Sequence, residues 1–430
     1  ISQPPAHLMN KPPSRPRIAI IGTGISGLVA AHRLHHQFEL TLFEKNDYIG
    51  GHTQTHNIEH LGRSYAIDTG FIVFNDWTYP EFIHLLEELG VRSQPSTMSF
   101  SVRCERTGLE YNGTNLNALF AQRRNLFSPR FYGMIRDILR FNREAPRFLE
   151  NGDDQQTLGD FIRQGAYGSA FREQYIIPMG AAIWSAAPDA MLNFPARFFI
   201  RFFKNHGMLS VDERPIWRVI HGGSNRYIPP LVAPFRERIR LSTPVQAVER
   251  RSDRVTLQLS NGNREDFDRV IFACHSDEAY ALLNDPSGQE RKVMGGLRYQ
   301  ANETVLHTDT RMLPSRRLAW AAWNYHIPRK TSHRVAVTYN MNILQGLKSD
   351  TTFCVTLNHF EDIDPAKVLK RITYHHPAYT PETLEAQALH GSISGVNRTY
   401  YAGAYWGFGF HEDGVRSGLR VANQILESVE

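Results

Sequence analysis

The sequence predicts an α/β protein in which a parallel sheet carries a nucleotide site and is interrupted by an inserted α+β domain. Three observations predict it: a glycine-rich βαβ unit at residues 18–51, a mainly helical stretch at 116–207 with no second such unit, and a strand, glycine-rich turn and helix from Asn397 onward. Ile18 to Ile21 is an apolar run suited to a strand buried on both faces. Gly22, Gly24 and Gly27 then supply a tight turn, a close backbone approach to a diphosphate, and packing of helix on strand. Ile25 and Ser26 open the helix, whose free N–H groups and dipole favour negative charge. Glu44 ends the second strand, where its carboxylate can accept both hydroxyls of an adenosine ribose. A 2′-phosphate there would be repelled. This Rossmann-like unit alone does not separate FAD from NAD.

Bulk properties fit an enzyme of two domains. A chain of 430 residues exceeds the size at which one core stops growing. Hydrophobic residues are 41% and charged residues 21%, close to ordinary globular usage. The charge of +5 and pI of about 9.0 permit contact with anionic lipid or acidic substrates, and no nucleic-acid partner is expected. Cys104, Cys274 and Cys354 are odd in number and lack CxxC spacing, which points to a reducing, cytoplasmic location and to no metal site. Cys274 ends a strand, where packing is its default role. No apolar run approaches the ~20 residues that span a bilayer. Residues 1–16 hold five prolines and read as a flexible leader, with Met9 as a candidate start.

Between the two signals the periodicities change in order. Pro80 to Leu89 is an amphipathic helix stopped by Gly90, and residues 97–111 an antiparallel pair around Thr107-Gly108. After the helical stretch, residues 239–273 return to strands, with a hairpin at Asn261-Gly262 and a buried strand from Val270 to Ala273. Residues 299–309 and 333–341 alternate as strands of a second sheet. Phe194 to Lys204 mixes bulky apolar residues with cations. A core-facing helix explains it more simply than an acyl gate or membrane contact, since any such helix has a large moment. His32, His35 and His36 are placed on the solvated face of the first helix, and His52, His56 and His60 in loop and strand, where the spacing does not align metal ligands.

Gly50-Gly51 and Asp68 to Phe71 follow Glu44, and with the fingerprint they resemble the FAD-binding start of the flavin amine oxidase and phytoene desaturase superfamily. That resemblance implies a glutathione-reductase-type, amine oxidase-like FAD domain at 17–75, 215–290 and 391–430, and a substrate domain at 76–214 and 291–390. It implies FAD contacts from Gly22, Gly24, Ile25, Ser26, Gly27, Glu44, Lys45, Gly50, Gly51, His52, Thr69, Gly70 and Phe71, and from the Val245 backbone. Gly403, Asp413, Gly414 and Val415 extend this set at the C-terminal end, where the helix would point its N-terminus at the flavin pyrimidine.

The substrate end departs from the amine oxidases. Residues 293–312 contain no lysine, whereas many amine oxidases place one there to hold a water at the flavin. Tyr405, Trp406, Phe408, Phe410 and His411 make the expected wall more apolar than a tyrosine cage. Asp68 to Asn75, Trp217, His221 to Ser224, His307 to Asp309 followed by Pro314, Trp323 to Tyr325, Thr338 to Asn342, Thr356 to Asn358 and Gly409 to Gly414 resemble bacterial FAD/NAD-binding proteins found beside cyclopropane-fatty-acid-synthase-like methyltransferases. Some of these are implicated in desaturating methylated acyl chains on the way to furan fatty acids. The resemblance implies hydride transfer from a fatty-acyl or other lipid-like substrate to flavin N5, with oxygen or an electron carrier as acceptor and peripheral contact with the inner membrane face. His411 is the candidate proton-transfer residue, with Phe410 and Tyr405 beside it. A flavin amine oxidase, a redox-neutral fatty acid isomerase and a non-catalytic lipid-binding flavoprotein are the alternatives.

Overall fold

The computed structural model describes residues 15–330 and 333–428, so all but the last two residues of the expected leader lie outside it. One parallel sheet of five strands runs in the order Ile239–Arg240, Glu39–Phe43, Arg17–Ile21, Arg269–Phe272, Thr399–Tyr401. Both of its faces are covered, which is why the strands read as continuous apolar runs. Ile18, Ile20, Leu40 and Leu42 pack against the helices Ile25–Leu34 and His411–Glu427. Ala19, Ile21 and Phe43 turn the other way, against the antiparallel strands Val245–Arg250, Val255–Leu259 and Arg264–Phe267.

The second sheet has seven strands, in the order Val368–Ala378, Arg298–His307, Cys354–Leu357, Val337–Asn340, Trp323–Ile327, Phe100–Cys104, Leu109–Asn112. All neighbours are antiparallel except Trp323–Ile327 with Phe100–Cys104. Helices Pro129–Asn151, Leu158–Gln164, Ile177–Trp184 and Ala196–Asn205 join this sheet in the largest apolar core. Ala196–Asn205 buries Phe198, Phe199, Phe202 and Phe203 and leaves Arg201 and Lys204 outside, so its apolar face is not offered to a membrane. No helix among the described residues is long and apolar enough to cross one.

The first helix differs from expectation at its end. It stops at Leu34, and His35 is buried past it, with Nδ1 2.7 Å from the His32 carbonyl and its ring against Phe235. Apolar packing there outweighs exposure of a histidine that burial keeps neutral, its pKa being lowered mainly by desolvation.

The two helices on the parallel sheet approach closely near their N-termini. A β-carbon on Gly418 would collide with the Ser26 carbonyl, and one on Gly414 would press on Ile25. Gly418→Ala is therefore expected to destabilise the protein by about 1–3 kcal/mol through overpacking. Gly133→Ala, whose β-carbon would meet nothing within 4 Å in the second turn of Pro129–Asn151, is expected to stabilise it by about 0.5–1 kcal/mol. Urea unfolding of the two variants checks both signs.

Candidate active site

The fingerprint turn is built for an anion. Gly22 has φ +107°, and its missing β-carbon avoids the Ala273 carbonyl, 2.7 Å from where that atom would sit. Gly24 caps the helix without any side-chain hydrogen bond, no acid lies in the first turn, and a β-carbon at Gly24 would meet nothing within 4 Å. The first-turn N–H groups thus open onto free space, as a diphosphate requires. Gly51 closes over the same turn, since its β-carbon would lie 3.0 Å from Gly24 Cα, and Gly50 N–H donates to the Thr23 carbonyl.

Glu44 is buried at the end of its strand. Its Oε2 accepts from Thr23 N–H and Oγ1–H at 3.1 and 2.6 Å, and its Oε1 from Asn46 N–H and Nδ2–H, both at 2.9 Å. The two backbone donors hold the carboxylate in place. The two side-chain donors can turn aside when ribose hydroxyls arrive. Lys45 pairs with Glu278 rather than standing free, and Val245 begins its strand buried.

The middle of the site is an aromatic and imidazole cluster. Thr69 Oγ1 lies 2.6 Å from Tyr374 Oη, and Phe71 N–H donates to the His52 carbonyl. A β-carbon on Gly70 would collide with that carbonyl, so only glycine lets His52 come this close. The His52 ring lies 4.6 Å from Tyr374 and 4.9 Å from His376 between centroids. Burial lowers the His52 pKa to about 4, and burial, then neighbouring imidazoles, take His376 well below its usual value. Both are neutral near pH 7.

His376 is held in one tautomer by a chain of amides. Asn358 accepts from Glu303 N–H at 2.9 Å and donates through Nδ2 to Asn302 Oδ1 at 2.6 Å. Asn302 Nδ2 therefore faces His376 and donates to Nδ1 at 2.8 Å. The anchoring end is a backbone N–H, which fixes the orientation of both amides. Asn358 keeps φ +55° to make the contact. His376 then carries its proton on Nε2, which has no protein acceptor among the described residues.

The terminal segment divides the residues expected at the substrate end. Phe410 is half-buried, stacks on Phe202 at 5.0 Å, and packs against both large apolar cores. Phe408 faces Phe198 at 4.5 Å. Tyr379 stacks on Phe198 at 4.9 Å, and its buried hydroxyl has no partner among the described residues. Tyr405 and Trp406 instead pack beneath the parallel sheet's other face, and Gly403 is glycine because the Tyr405 ring occupies the space of a β-carbon. Gly403 N–H donates to Ser417 Oγ at 3.0 Å, and Gly414 and Val415 are buried against the first helix.

His411 is enclosed by aromatic and hydroxyl side chains. Its ring stacks on Phe71 at 3.7 Å and 6°, and its Nε2 is 2.9 Å from Tyr227 Oη, itself 2.7 Å from Thr53 Oγ1. As first residue of the terminal helix it points its side chain back into the core, where burial lowers the pKa to about 3. The ring is therefore neutral near pH 7, with Nε2 already paired to Tyr227. The helix N-terminus is also less positive than expected, because Glu412 and Asp413 both lie in its first turn. Burial raises the Asp413 pKa to about 6, although its carboxylate accepts from Phe410 N–H at 3.0 Å.

Asn302→Asp is expected to reverse the His376 tautomer. The carboxylate would accept Nδ1–H and stabilise the imidazolium. Nitrogen-15 NMR of histidine-labelled protein should show Nε2–H in the parent and Nδ1–H or a doubly protonated ring in the variant. An Nδ1–H signal for His376 in the parent would contradict the amide chain.

Similarity to known proteins agrees with this geometry. The sequence matches the flavin containing amine oxidoreductase family over residues 25–315 and 365–426. It is 38% identical over 103 residues to a 1-hydroxycarotenoid 3,4-desaturase of Flavobacterium sp., a match spanning 23% of this chain and 19% of that protein. Among solved structures it superposes on wild-type putrescine oxidase bound to putrescine with TM-score 0.69 and 15% identity, covering 96% of this chain and 99% of that one. The CLA-producing fatty acid isomerase from P. acnes superposes with TM-score 0.68 and 15% identity, covering 96% and 98%. The chain belongs to the flavin containing amine oxidoreductase family.

Proposed function

We propose that the chain oxidises or desaturates a fatty-acyl or other lipid-like substrate. One observation carries this reading: the wall beside Phe410 is aromatic, and the acids nearest it are bound to backbone. Asp413 accepts from Phe410 N–H, and Glu412 accepts from Glu81 N–H at 3.2 Å and Phe82 N–H at 2.9 Å. An ammonium group entering this wall would lose water without gaining a free carboxylate. Rings alone would return about 2 kcal/mol to such a cation. Ten buried methylenes of an acyl chain would contribute about 8 kcal/mol. The relative named as a 1-hydroxycarotenoid 3,4-desaturase supports the same class of substrate.

Bound FAD supplies the two-electron acceptance, and oxygen or an electron carrier removes the electrons afterwards. The aromatic wall holds the chain and excludes water. Gly24 to Gly27 and Glu44 hold the nucleotide end. His376 offers a hydrogen bond from Nε2, and Tyr379 an unpartnered hydroxyl, to an oxygen of the ligand. In the strand that lacks lysine, Gln300 is tied to the Ser185 carbonyl at 2.7 Å and is not free to hold a water.

Anaerobic mixing of the yellow protein with acyl lipids should bleach the flavin absorbance, and air should restore it. Putrescine and aromatic amines should leave it unchanged. Bleaching by an amine with peroxide release would overturn the reading in favour of an amine oxidase. Lipid conversion without oxygen uptake would favour an isomerase, and failure of dithionite to bleach the flavin reversibly a non-catalytic role.

A further inference from the structure

The helical insert and the turn beside it expose several large apolar side chains. Half of the large apolar residues exposed among the described residues belong to one region: Leu116, Leu126, Phe127, Tyr132, Leu139 and Leu318. Phe127 is 88% and Leu116 75% exposed. The helix Leu116–Leu119, the turn Arg123–Phe127 and the helix Pro129–Asn151 follow one another, and Arg317–Ala319 packs against the first of them. These apolar residues therefore lie on consecutive elements of the insert and on the turn packed against the first of them.

The same region is strongly basic. Residues 116–151 contain seven arginines against Asp137, Glu144 and Glu150. Asp137 is buried and accepts from Gly168 N–H, and Glu144 accepts from Tyr167 Oη–H, so two of the three acids face inward. Arg123 and Arg124 donate to the carbonyls of Phe120 and Gly108, which holds their charges at the exposed turn. On the long helix, Tyr132, Arg136, Leu139, Arg143 and Arg147 are all exposed at spacings of four, three, four and four residues, which puts them on one side. Arg136 keeps 81% of its side chain in solvent, and Arg130, Arg143 and Arg147 make no ion pair among the described residues.

We propose that this face docks the protein on an anionic membrane, with Phe127 and Leu116 in the acyl boundary and the arginines on headgroup phosphates. The charge pattern selects this occupant. The core of a protein interface is depleted of charge, whereas here Tyr132 and Leu139 alternate with Arg136, Arg143 and Arg147, Leu318 follows Arg317, and Leu126 and Phe127 lie between Arg124 and Arg130. Aromatic and aliphatic side chains set among arginines suit an interfacial surface over negative lipid. The proposal stands on the surface alone and does not need the substrate reading, although a lipid substrate would be reached from the same bilayer.

Sedimentation of the FAD-loaded protein with vesicles tests it. Binding to phosphatidylcholine doped with phosphatidylglycerol should exceed binding to phosphatidylcholine alone by at least about tenfold and fall as salt rises. The pair Leu116→Ser and Phe127→Ser, and the triple Arg130→Glu, Arg136→Glu and Arg143→Glu, should each lower it by at least about tenfold. Both should keep the flavin spectrum and thermal midpoint of the parent, and Arg201→Glu with Lys204→Glu should bind vesicles like the parent. Equal binding by the parent and both patch variants would overturn the proposal. So would a dimer in lipid-free sedimentation that Phe127→Ser dissolves, since the face would then belong to a second copy.

Discussion

The rest of the structure depends on the close approach of two helices that are nearly the length of the chain apart. Ile25–Leu34 and His411–Glu427 touch where Gly414 meets Ile25 and Gly418 meets the Ser26 carbonyl. Only residues without a β-carbon allow this separation. The contact brings two helix N-termini to one region of the parallel sheet, and the first of them has no capping side chain. In the proposed binding mode a nucleotide diphosphate satisfies those amides and the flavin end of the cofactor lies toward Phe410. The substrate sheet and helical insert pack around that direction.

At the far end the protein is polar in few places, and most of them are already paired. His411 is tied to Tyr227, Asp413 and Glu412 to backbone, and Gln300 to Ser185. Among the described residues, the Tyr379 hydroxyl and His376 Nε2 have no hydrogen-bond partner in the protein. Burial keeps the clustered imidazoles neutral, so the site offers hydrogen-bond donors in an apolar setting rather than fixed charge. Such a setting suits a ligand that is mostly hydrocarbon with an oxygen at one point.

The nucleotide end was legible because its physics is local. Gly22, Gly24, Gly27 and Glu44 lie in one βαβ unit, where turn, helix start and strand end are set by neighbours in sequence. The terminal strand, turn and helix were legible for the same reason. The Asn358–Asn302–His376 chain was not, because it exists only through the pairing of Arg298–His307 with Cys354–Leu357 on one side and Val368–Ala378 on the other. The non-glycine residue at φ +55° that anchors it leaves no mark in composition. His411 was placed on the right helix, but which way its ring turns is decided by Phe71 and Tyr227, far away in sequence. The basic face of residues 116–147 read as an ordinary helical stretch because exposure, not periodicity, distinguishes it.

The central claim is that one FAD lies extended from Glu44, across the Gly24 to Ser26 amides, to the aromatic wall at Phe410. A crystal structure of the yellow holoprotein tests it most directly. The account predicts ribose density at the Glu44 carboxylate with the Thr23 hydroxyl turned aside, diphosphate density on the first-turn amides, and the flavin rings beside Phe410 and His376. Rings lying outside that wall, or a ribose that leaves the Glu44–Thr23 bond intact, would contradict it.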